Sequence, residues 1–457
     1  MAADTLESIS VIGLGKLGAC IAASLASRAF KVFGYDIDQR KIDHLRNGLA
    51  PTEEPRLQET IELAGSRLTA TDDIRRAVLE TDASFFVLPT PTLPDGSFSN
   101  DLLIAAIQSV AEIVRQERKQ RHLFIVSSTI TPGTCDQVLE PLLKRMLGDS
   151  AMKFGLCYNP LFIALGNVIQ GLLQPDLVLI GESEPTSGEL VSQLQKKLTI
   201  NSPPVERMST INAELTKVAL NCAVTMKISF ANQLSGVCAK MPGSNPELIL
   251  RAIGKDPRIG PGYLKPGLGF GGPCFPRDNR LFQFLAQSVG ADAALSCGTD
   301  RINEDVNCRL LETALRSCRP DAFVGIFGLA YKPFTSVIDE SPGIWLCQRL
   351  ADAGRKIFAH DYWAAKNASA ALAESSVQIC NDPREILRKA CQTIVITCPW
   401  PKYKDLFNAN MHQFVGTRTT IVDPWRLVAS IVHHEVHYVT ILDSRSSPLP
   451  PKFAAHA

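Results

Sequence analysis

The sequence predicts an α/β protein in which two doubly wound parallel-sheet domains are joined by a long-helix, all-α centre. Three observations predict it. Short apolar runs alternate with helical patterns from Ser8 to about Asn201, the β-branched runs vanish between Thr210 and Val289, and the alternation resumes at Phe323. In the first stretch the strands read as Ile9 to Leu14, Lys31 to Tyr35, Ser84 to Leu88, His122 to Ser127, Lys153 to Leu156 and Leu177 to Ile180. Ala213 to Ala239 then reads as one helix, with no proline and no glycine before Gly236. In the last stretch the strands read as Ala322 to Phe327, Lys356 to Ala359, Thr393 to Thr397 and Thr419 to Val422, with a short run at His437 to Ile441. The expected domains are 1–205, 206–300 and 301–457. No internal repeat is visible, and Ser446 to Pro451 reads as the start of a tail.

Composition narrows the function. Lys+Arg 47 against Asp+Glu 46 leaves a formal charge of +1, so no basic field is present to hold a nucleic-acid backbone. No segment is long and apolar enough to span a bilayer, and the first residues show no basic region followed by an apolar run, so neither a membrane partner nor a signal peptide is expected. The 13 cysteines fall at irregular spacing without a paired C-x-x-C pattern, so the expectation is reduced, mostly buried thiols in a cytoplasmic protein, and no metal site.

Chemistry enters at Gly13-Leu14-Gly15-Lys16-Leu17-Gly18, which ends the first strand and opens the apolar helix Ala19 to Ala26. Glycines in this register allow a tight turn and a close approach of pyrophosphate to free helix amides, the mark of a Rossmann-like domain. Asp36 ends the second strand, at about the distance where an acid meets the adenosine ribose; its charge would repel a ribose phosphate, which argues for NAD over NADP. Two further strand ends carry hydroxyls, at Pro89-Thr90-Pro91 and in Ser128 to Thr134, and these fit ligand contacts and ordinary turn formation equally well.

The run Gly267-Leu268-Gly269-Phe270-Gly271-Gly272-Pro273-Cys274-Phe275-Pro276-Arg277-Asp278 gives the backbone freedom to approach a ligand and delivers a thiol with a carboxylate four residues on. A helix beginning after Pro273 would put Cys274 at its N-terminus, where thiolate is favoured, and Asp278 on the same face one turn later. Lys217 and Asn221 share a face of the long helix and present an ammonium and an amide suited to a developing oxyanion, although such a pair also suits a solvated helix face.

With these residues in view the chain resembles the UDP-glucose/GDP-mannose dehydrogenase family from about Ile9 to Arg426. The resemblance is carried by Val11 to Gly18, Pro89-Thr90-Pro91, Ser128 to Thr134, Asn159-Pro160, Ala213-Glu214-Leu215 with Lys217 and Asn221, Ile228-Ser229-Phe230 with Asn232, Asp256 to Gly260, Gly267 to Asp278, Gly328 to Pro333, and Thr397 with Trp400-Pro401. It implies a four-electron oxidation of a nucleotide-linked hexose at C6 with two NAD, UDP-glucose being the expected substrate and a UDP-N-acetylhexosamine or GDP-mannose the alternatives. Cys274 would be the nucleophile, Lys217 and Asn221 the oxyanion stabilisers, and Asp278 the acid that orients the lysine or activates water, with Thr129 also catalytic. The cofactor would meet Gly13, Gly15, Leu17, Gly18, Asp36, Thr90 and Thr129. The sugar nucleotide would meet Phe162, Lys217, Asn221, Arg258, Tyr263, Lys265, Gly271, Lys332 and Arg426, with Arg258 reaching across a homodimer interface. That homodimer is expected to form through the central helix, whose apolar face includes Leu220, Val224 and Ile228, residues that fit intrachain core equally.

The sequence also departs from the family pattern. Asn-Pro-Glu-Phe-Leu-x-Glu-Gly becomes Asn159-Pro160-Leu161-Phe162-Ile163-Ala164-Leu165-Gly166, so two carboxylates become leucines, which have no basic atom. Thr-x-Asp-x-Arg-Glu-Ser becomes Thr335 to Ser341 without the arginine, and Arg277 stands for the common lysine. Two other readings therefore stay open: a noncatalytic nucleotide-sugar binding protein, and a two-electron dehydrogenase of the β-hydroxyacid type, in which Lys-x-x-x-Asn also occurs and Cys274 would be dispensable.

Overall fold

A computed structural model of the chain describes residues 5–148 and 153–441; Ser446 to Pro451 lies outside them. The first sheet contains β1 (Ser8–Ile12), β2 (Lys31–Tyr35), β3 (Leu68–Thr71), β4 (Ala83–Phe86), β5 (Arg121–Val126), β6 (Lys153–Tyr158), β7 (Val178–Glu182) and β8 (Val205–Ser209), in the order β3-β2-β1-β4-β5-β6-β7-β8. The second contains β9 (Phe323–Phe327), β10 (Lys356–His360), β11 (Val377–Ile379), β12 (Thr393–Ile396), β13 (Thr420–Val422) and β14 (His437–Val439), in the order β11-β10-β9-β12-β13-β14.

Apolar runs make these strands because both faces are covered. Ile9 and Val11 enter one core and Ile12 the other, and Phe85 and Phe86 divide in the same way. In the second sheet Ile326 and Phe327 face opposite cores. Alternate side chains point to opposite faces, so a strand buried on both reads as a continuous apolar run rather than an alternation.

Between the sheets come the helices Thr210–Cys238, Pro246–Ile253, Phe275–Ser288 and Ala294–Arg316. The chain packs as two compact units, one running to Leu220 and including Arg280–Asp292, the other comprising Asn221–Asn279 and everything from Ala293 on. The chain changes unit three times, inside the helices Thr210–Cys238 and Phe275–Ser288 and again between Asp292 and Ala293.

One expectation needs correction. The first sheet is not wholly parallel, because β7 pairs antiparallel with β6 at Cys157 and Glu182 before pairing parallel with β8. As expected of two doubly wound domains, the order β3-β2-β1-β4-β5-β6 of the first sheet recurs as β11-β10-β9-β12-β13-β14 in the second.

Candidate active site

In the first unit the turn after β1 is built as its glycines require. Gly13 has φ +99° and donates its amide to the Tyr35 carbonyl at 2.8 Å; a Cβ on Gly18 would stand 1.8 Å from the Gly13 carbonyl. A Cβ on Gly15 would meet nothing within 4 Å, so the glycine that opens the helix Lys16–Ser27 faces empty space. A tight turn, a close helix packing and an open face at a helix N-terminus fit the pyrophosphate of a dinucleotide. Leu17 turns into the core beneath. Asp36 is buried and accepts from the Leu14 amide at 2.7 Å, the Asp38 amide at 2.8 Å and the Lys41 ammonium at 3.0 Å.

The hydroxyls at the next strand ends serve their own chain. Thr90 donates to the Thr129 carbonyl at 2.6 Å, and Ser128 both accepts from the Leu88 amide and donates to the Leu88 carbonyl, each at 2.8 Å. These bonds tie the two turns together, and Thr129 is half-buried beside them. The same loop is fixed by Glu214, a buried carboxylate accepting from the Gly133 and Cys135 amides at 2.5 and 2.8 Å. Burial pushes the Glu214 carboxyl above its usual range while these bonds pull it back. Lys217, one turn further along the long helix, is buried, donates to the Leu161 carbonyl at 3.0 Å and lies 5.0 Å from the Phe162 ring centroid. Leu161 and Leu165 pack against the first unit's core.

In the second unit Cys274 is exposed and immediately precedes the helix Phe275–Ser288. Its carbonyl accepts the Asp278 amide at 2.9 Å, which closes the first turn. Asp278 is 1% exposed and accepts from Asn221 Nδ2 at 2.6 Å, with the Arg277 guanidinium 3.5 Å from its other oxygen. The neighbouring Cys222 is a different thiol: burial, then Asp278 and Asp300, pushes it up to about 12. Burial disfavours thiolate at most of the cysteines, whereas Cys274, like Cys297 and Cys308, is exposed.

Four of the glycines before Cys274 lie close against their own chain. A Cβ on Gly267 would stand 2.6 Å from the Trp425 ring, on Gly269 2.1 Å from Asn303 Oδ1, on Gly271 2.3 Å from the Glu340 carbonyl, and on Gly272 2.5 Å from the Tyr331 ring. The Gly272 amide donates to the Asp339 carbonyl at 2.9 Å, so the segment that departs from the family pattern carries this loop.

The expected sugar-nucleotide residues of this unit are dispersed among local partners. Arg258 is bound to Asp256 at 2.7 Å, Arg426 to Glu247 at 2.9 Å, and Lys332 lies 5.8 Å from the Tyr331 ring centroid. Tyr263, with φ 62°, meets Phe275 edge-on at 6.3 Å, and Lys265 is exposed. Of the apolar residues expected on the long helix, Leu220, Val224 and Ile228 are half-buried, whereas Met226, Phe230 and Val237 are exposed.

Sequence reasoning missed Lys41 and Asn303 and gave Glu214, named only for the resemblance, no role. A cation five residues after the strand-end acid was a signal for Lys41, and an acid one turn before Lys217 was a signal for Glu214. Asn303 gives none, since a lone asparagine within a helix announces no partner. Among the described residues no cluster of potential metal ligands occurs, and no helix is long and apolar enough to cross a membrane.

Comparison with known proteins adds three matches along the chain. Residues 7–199 match the NAD binding domain of the UDP-glucose/GDP-mannose dehydrogenase family, residues 211–305 its central domain and residues 325–430 its UDP binding domain. The chain is 32% identical to UDP-glucose 6-dehydrogenase AglM of Haloferax volcanii over 92% of this chain and 97% of that protein. It is 28% identical to a GDP-mannose 6-dehydrogenase of Pseudomonas putida over 91% and 90% of the two chains. A UDP-glucose dehydrogenase structure from Pyrobaculum islandicum superposes with a TM-score of 0.86 at 31% identity, covering 97% of this chain and 99% of that one.

Proposed function

We propose that this chain, which belongs to the UDP-glucose/GDP-mannose dehydrogenase family and takes NAD as its cofactor, oxidises the C6 hydroxymethyl of UDP-glucose to a carboxylate. The observation that carries the reading is the exposed Cys274 thiol at the head of a helix, one turn from a buried carboxylate held by Asn221. A related UDP-hexose or GDP-mannose is the alternative substrate, and the names of the relatives above support UDP-glucose first.

NAD, when bound, accepts the hydride at each of the two oxidations. Gly13, Gly15, Leu17, Gly18, Asp36, Thr90 and Thr129 would hold it: the open face at Gly15 would take the pyrophosphate and Asp36 the ribose hydroxyls. The first oxidation gives a C6 aldehyde and releases the hydroxyl proton. An aldehyde lacks an oxygen positioned to expel a second hydride, so the Cys274 sulfur adds to the carbonyl carbon and the carbonyl oxygen becomes the alkoxide of a thiohemiacetal. Lys217 and Asn221 stabilise that oxyanion, and its collapse with loss of the second hydride leaves a thioester. Water then adds to the thioester, the sulfur departs as thiolate, and the carboxylate is released. With leucine at 161 and 165, Asp278 is the carboxylate assigned to water activation, with Thr129 assisting. Phe162, Arg258, Tyr263, Lys265, Gly271, Lys332 and Arg426 bind the sugar nucleotide, the cations pairing with its diphosphate. The working form is a homodimer through the long helix, on which Met226, Phe230 and Val237 expose apolar surface for a second copy; light scattering of the purified protein at one chain mass removes that assignment.

NADH formed per sugar, with limiting UDP-glucose, UDP-N-acetylglucosamine, UDP-N-acetylmannosamine and GDP-mannose, tests the reading. Two NADH per UDP-glucose support it. A burst of at most two NADH per active site followed by silence means the thioester stalls for want of the lost carboxylates, and no NADH with any sugar favours the binding protein. Cys274→Ser separates the remaining case, because unchanged turnover there removes the four-electron route.

A further inference from the structure

The loop that delivers Cys274 is held less by its own turns than by two side-chain amides from two helices. From the helix Thr210–Cys238, Asn232 accepts the Gly267 amide at 3.0 Å and donates to the Leu268 carbonyl at 3.2 Å. From the helix Ala294–Arg316, Asn303 accepts the Phe270 amide at 2.7 Å and donates to the Phe270 carbonyl at 3.0 Å, pairing with one residue as a neighbouring strand would. Asparagine is a poor interior helix residue, so its presence at 303 asks for a compensating role. Gly269 answers from the other side: a Cβ there would stand 2.1 Å from Asn303 Oδ1, so the amide lies against the bare α-carbon. The helix that carries Asn303 is also tied to the first turn after Cys274, since Asn279 donates to the Ser296 carbonyl at 2.9 Å and to Asp300 at 2.8 Å. One helix therefore fixes the chain on both sides of the thiol.

We propose that Asn303 is a positioning residue for the Cys274 nucleophile, acting through the Phe270 main chain and requiring glycine at 269. The inference rests on the reading of Cys274 as nucleophile. Asn303 fixes where the sulfur stands, and misplacement of a reacting atom by an ångström lowers turnover without weakening cofactor binding.

The test compares full-length wild type, Asn303→Ala, Asn303→Asp, Gly269→Ala and the Asn303→Ala/Gly269→Ala double variant, with UDP-glucose and NAD. Asn303→Ala and Gly269→Ala are each expected to lower kcat about 10- to 100-fold with KM for NAD within about twofold of wild type. Asn303→Asp keeps the acceptor for the Phe270 amide and loses the donor, so it should recover part of the loss. Because both substitutions break one clamp, the double variant should be no worse than the poorer single variant, whereas independent structural damage would multiply. A second readout needs no turnover: iodoacetamide labelling of Cys274, followed by peptide mass with exposed Cys297 as internal reference, should slow at least about threefold in both single variants as the thiol leaves the first amides of its helix. An Asn303→Ala enzyme within twofold of wild-type kcat, or multiplying losses, overturns the proposal. If Asn303→Ala does not fold, Gly269→Ala and Asn303→Asp carry the same comparison. A wild type that reduces no NAD with any sugar overturns the nucleophile reading instead, and labelling then decides the clamp alone.

Discussion

The two parallel-sheet units use one device and put it to different ends. In the first, Gly13 donates to the Tyr35 carbonyl at 2.8 Å and Asp36, the next residue after β2, accepts the Leu14 amide at 2.7 Å. In the second, Gly328 donates to the His360 carbonyl at 2.8 Å and Asp361, the next residue after β10, accepts the Leu329 amide at 2.8 Å. There the likeness stops. Asp361 also accepts the amides of Ala330, Trp363 and Ala364 and the Trp400 indole, whereas Asp36 takes one further amide and the Lys41 ammonium, which is 33% exposed. Gly15, facing open space, corresponds to Ala330, which is buried. A strand-end acid can serve a ligand only where its own chain leaves it unspent acceptor capacity.

The largest expected effect separates the two acids. Asp361→Ala strands five N–H donors, and at ~1–3 kcal/mol for each buried unsatisfied group it is expected to lower stability by about 4 kcal/mol or more. Asp36→Ala strands two amides, one of them only part-buried, and should cost about 2 kcal/mol yet raise KM for NAD at least about tenfold. Urea unfolding and steady-state kinetics decide, and an Asp36 variant less stable than the Asp361 variant would break the comparison. Removing Asp36 also leaves Lys41 without its carboxylate partner, while Arg40 stays paired with Asp38, so the kcat/KM ratio of NADP to NAD should rise at least about tenfold. An unchanged ratio would mean that Asp36 does not exclude the phosphate. The turn itself gives a smaller, reciprocal pair: Gly15→Ala should weaken NAD binding with stability unchanged, while Ala330→Gly should cost ~0.5–1 kcal/mol with KM for NAD unchanged.

Acid sharpens the comparison with the smallest effect. His122 in the first unit is buried between the Ser84 hydroxyl at 2.8 Å and the Lys119 ammonium at 3.2 Å, and burial, then Lys119, holds its pKa well below the usual value. His360 in the second is lowered by burial but pulled back by Asp361 and Asp382. Below about pH 6.5 the unfolded chain protonates both while the fold refuses, so stability falls with pH by up to about 1.4 kcal/mol per unit and per histidine until the folded pKa is reached. The loss should run further for His122, so His122→Asn should be less acid-sensitive than His360→Asn in urea midpoints taken from pH 7.5 to 5.5. Equal sensitivities would contradict this.

What the sequence revealed of this architecture followed burial. Lys31 to Tyr35 is the strand predicted, because a run covered on both faces leaves no polar interruption. β8, Val-Glu-Arg-Met-Ser at the sheet edge with Glu206 exposed, and β11, three residues with Gln378 exposed, carry no such run and were not predicted. The reversal at β7 is a matter of pairing, to which a strand's own residues are indifferent. At the site, Gly13, Gly18, Asp36 and the Cys274–Asp278 spacing were readable because local geometry dictates them. The second unit's acid was not, since Gly328-Leu329-Ala330 lacks the second glycine, nor was Asn303, whose partner lies 33 residues away.

The glycine loop before Cys274 has a genetic consequence. Each of Gly267, Gly269 and Gly272 fits against one identifiable side chain, Trp425, Asn303 or Tyr331. A lesion at Gly267 is therefore open to suppression by a smaller residue at Trp425, where selection for restored activity would recover second-site revertants; at Gly269 a smaller residue in place of Asn303 breaks the Phe270 clamp itself, and at Gly272 the φ of +85° strains any side chain whatever stands at Tyr331. Gly271 meets the Glu340 carbonyl, which no codon change removes, and its lesions should revert only in place.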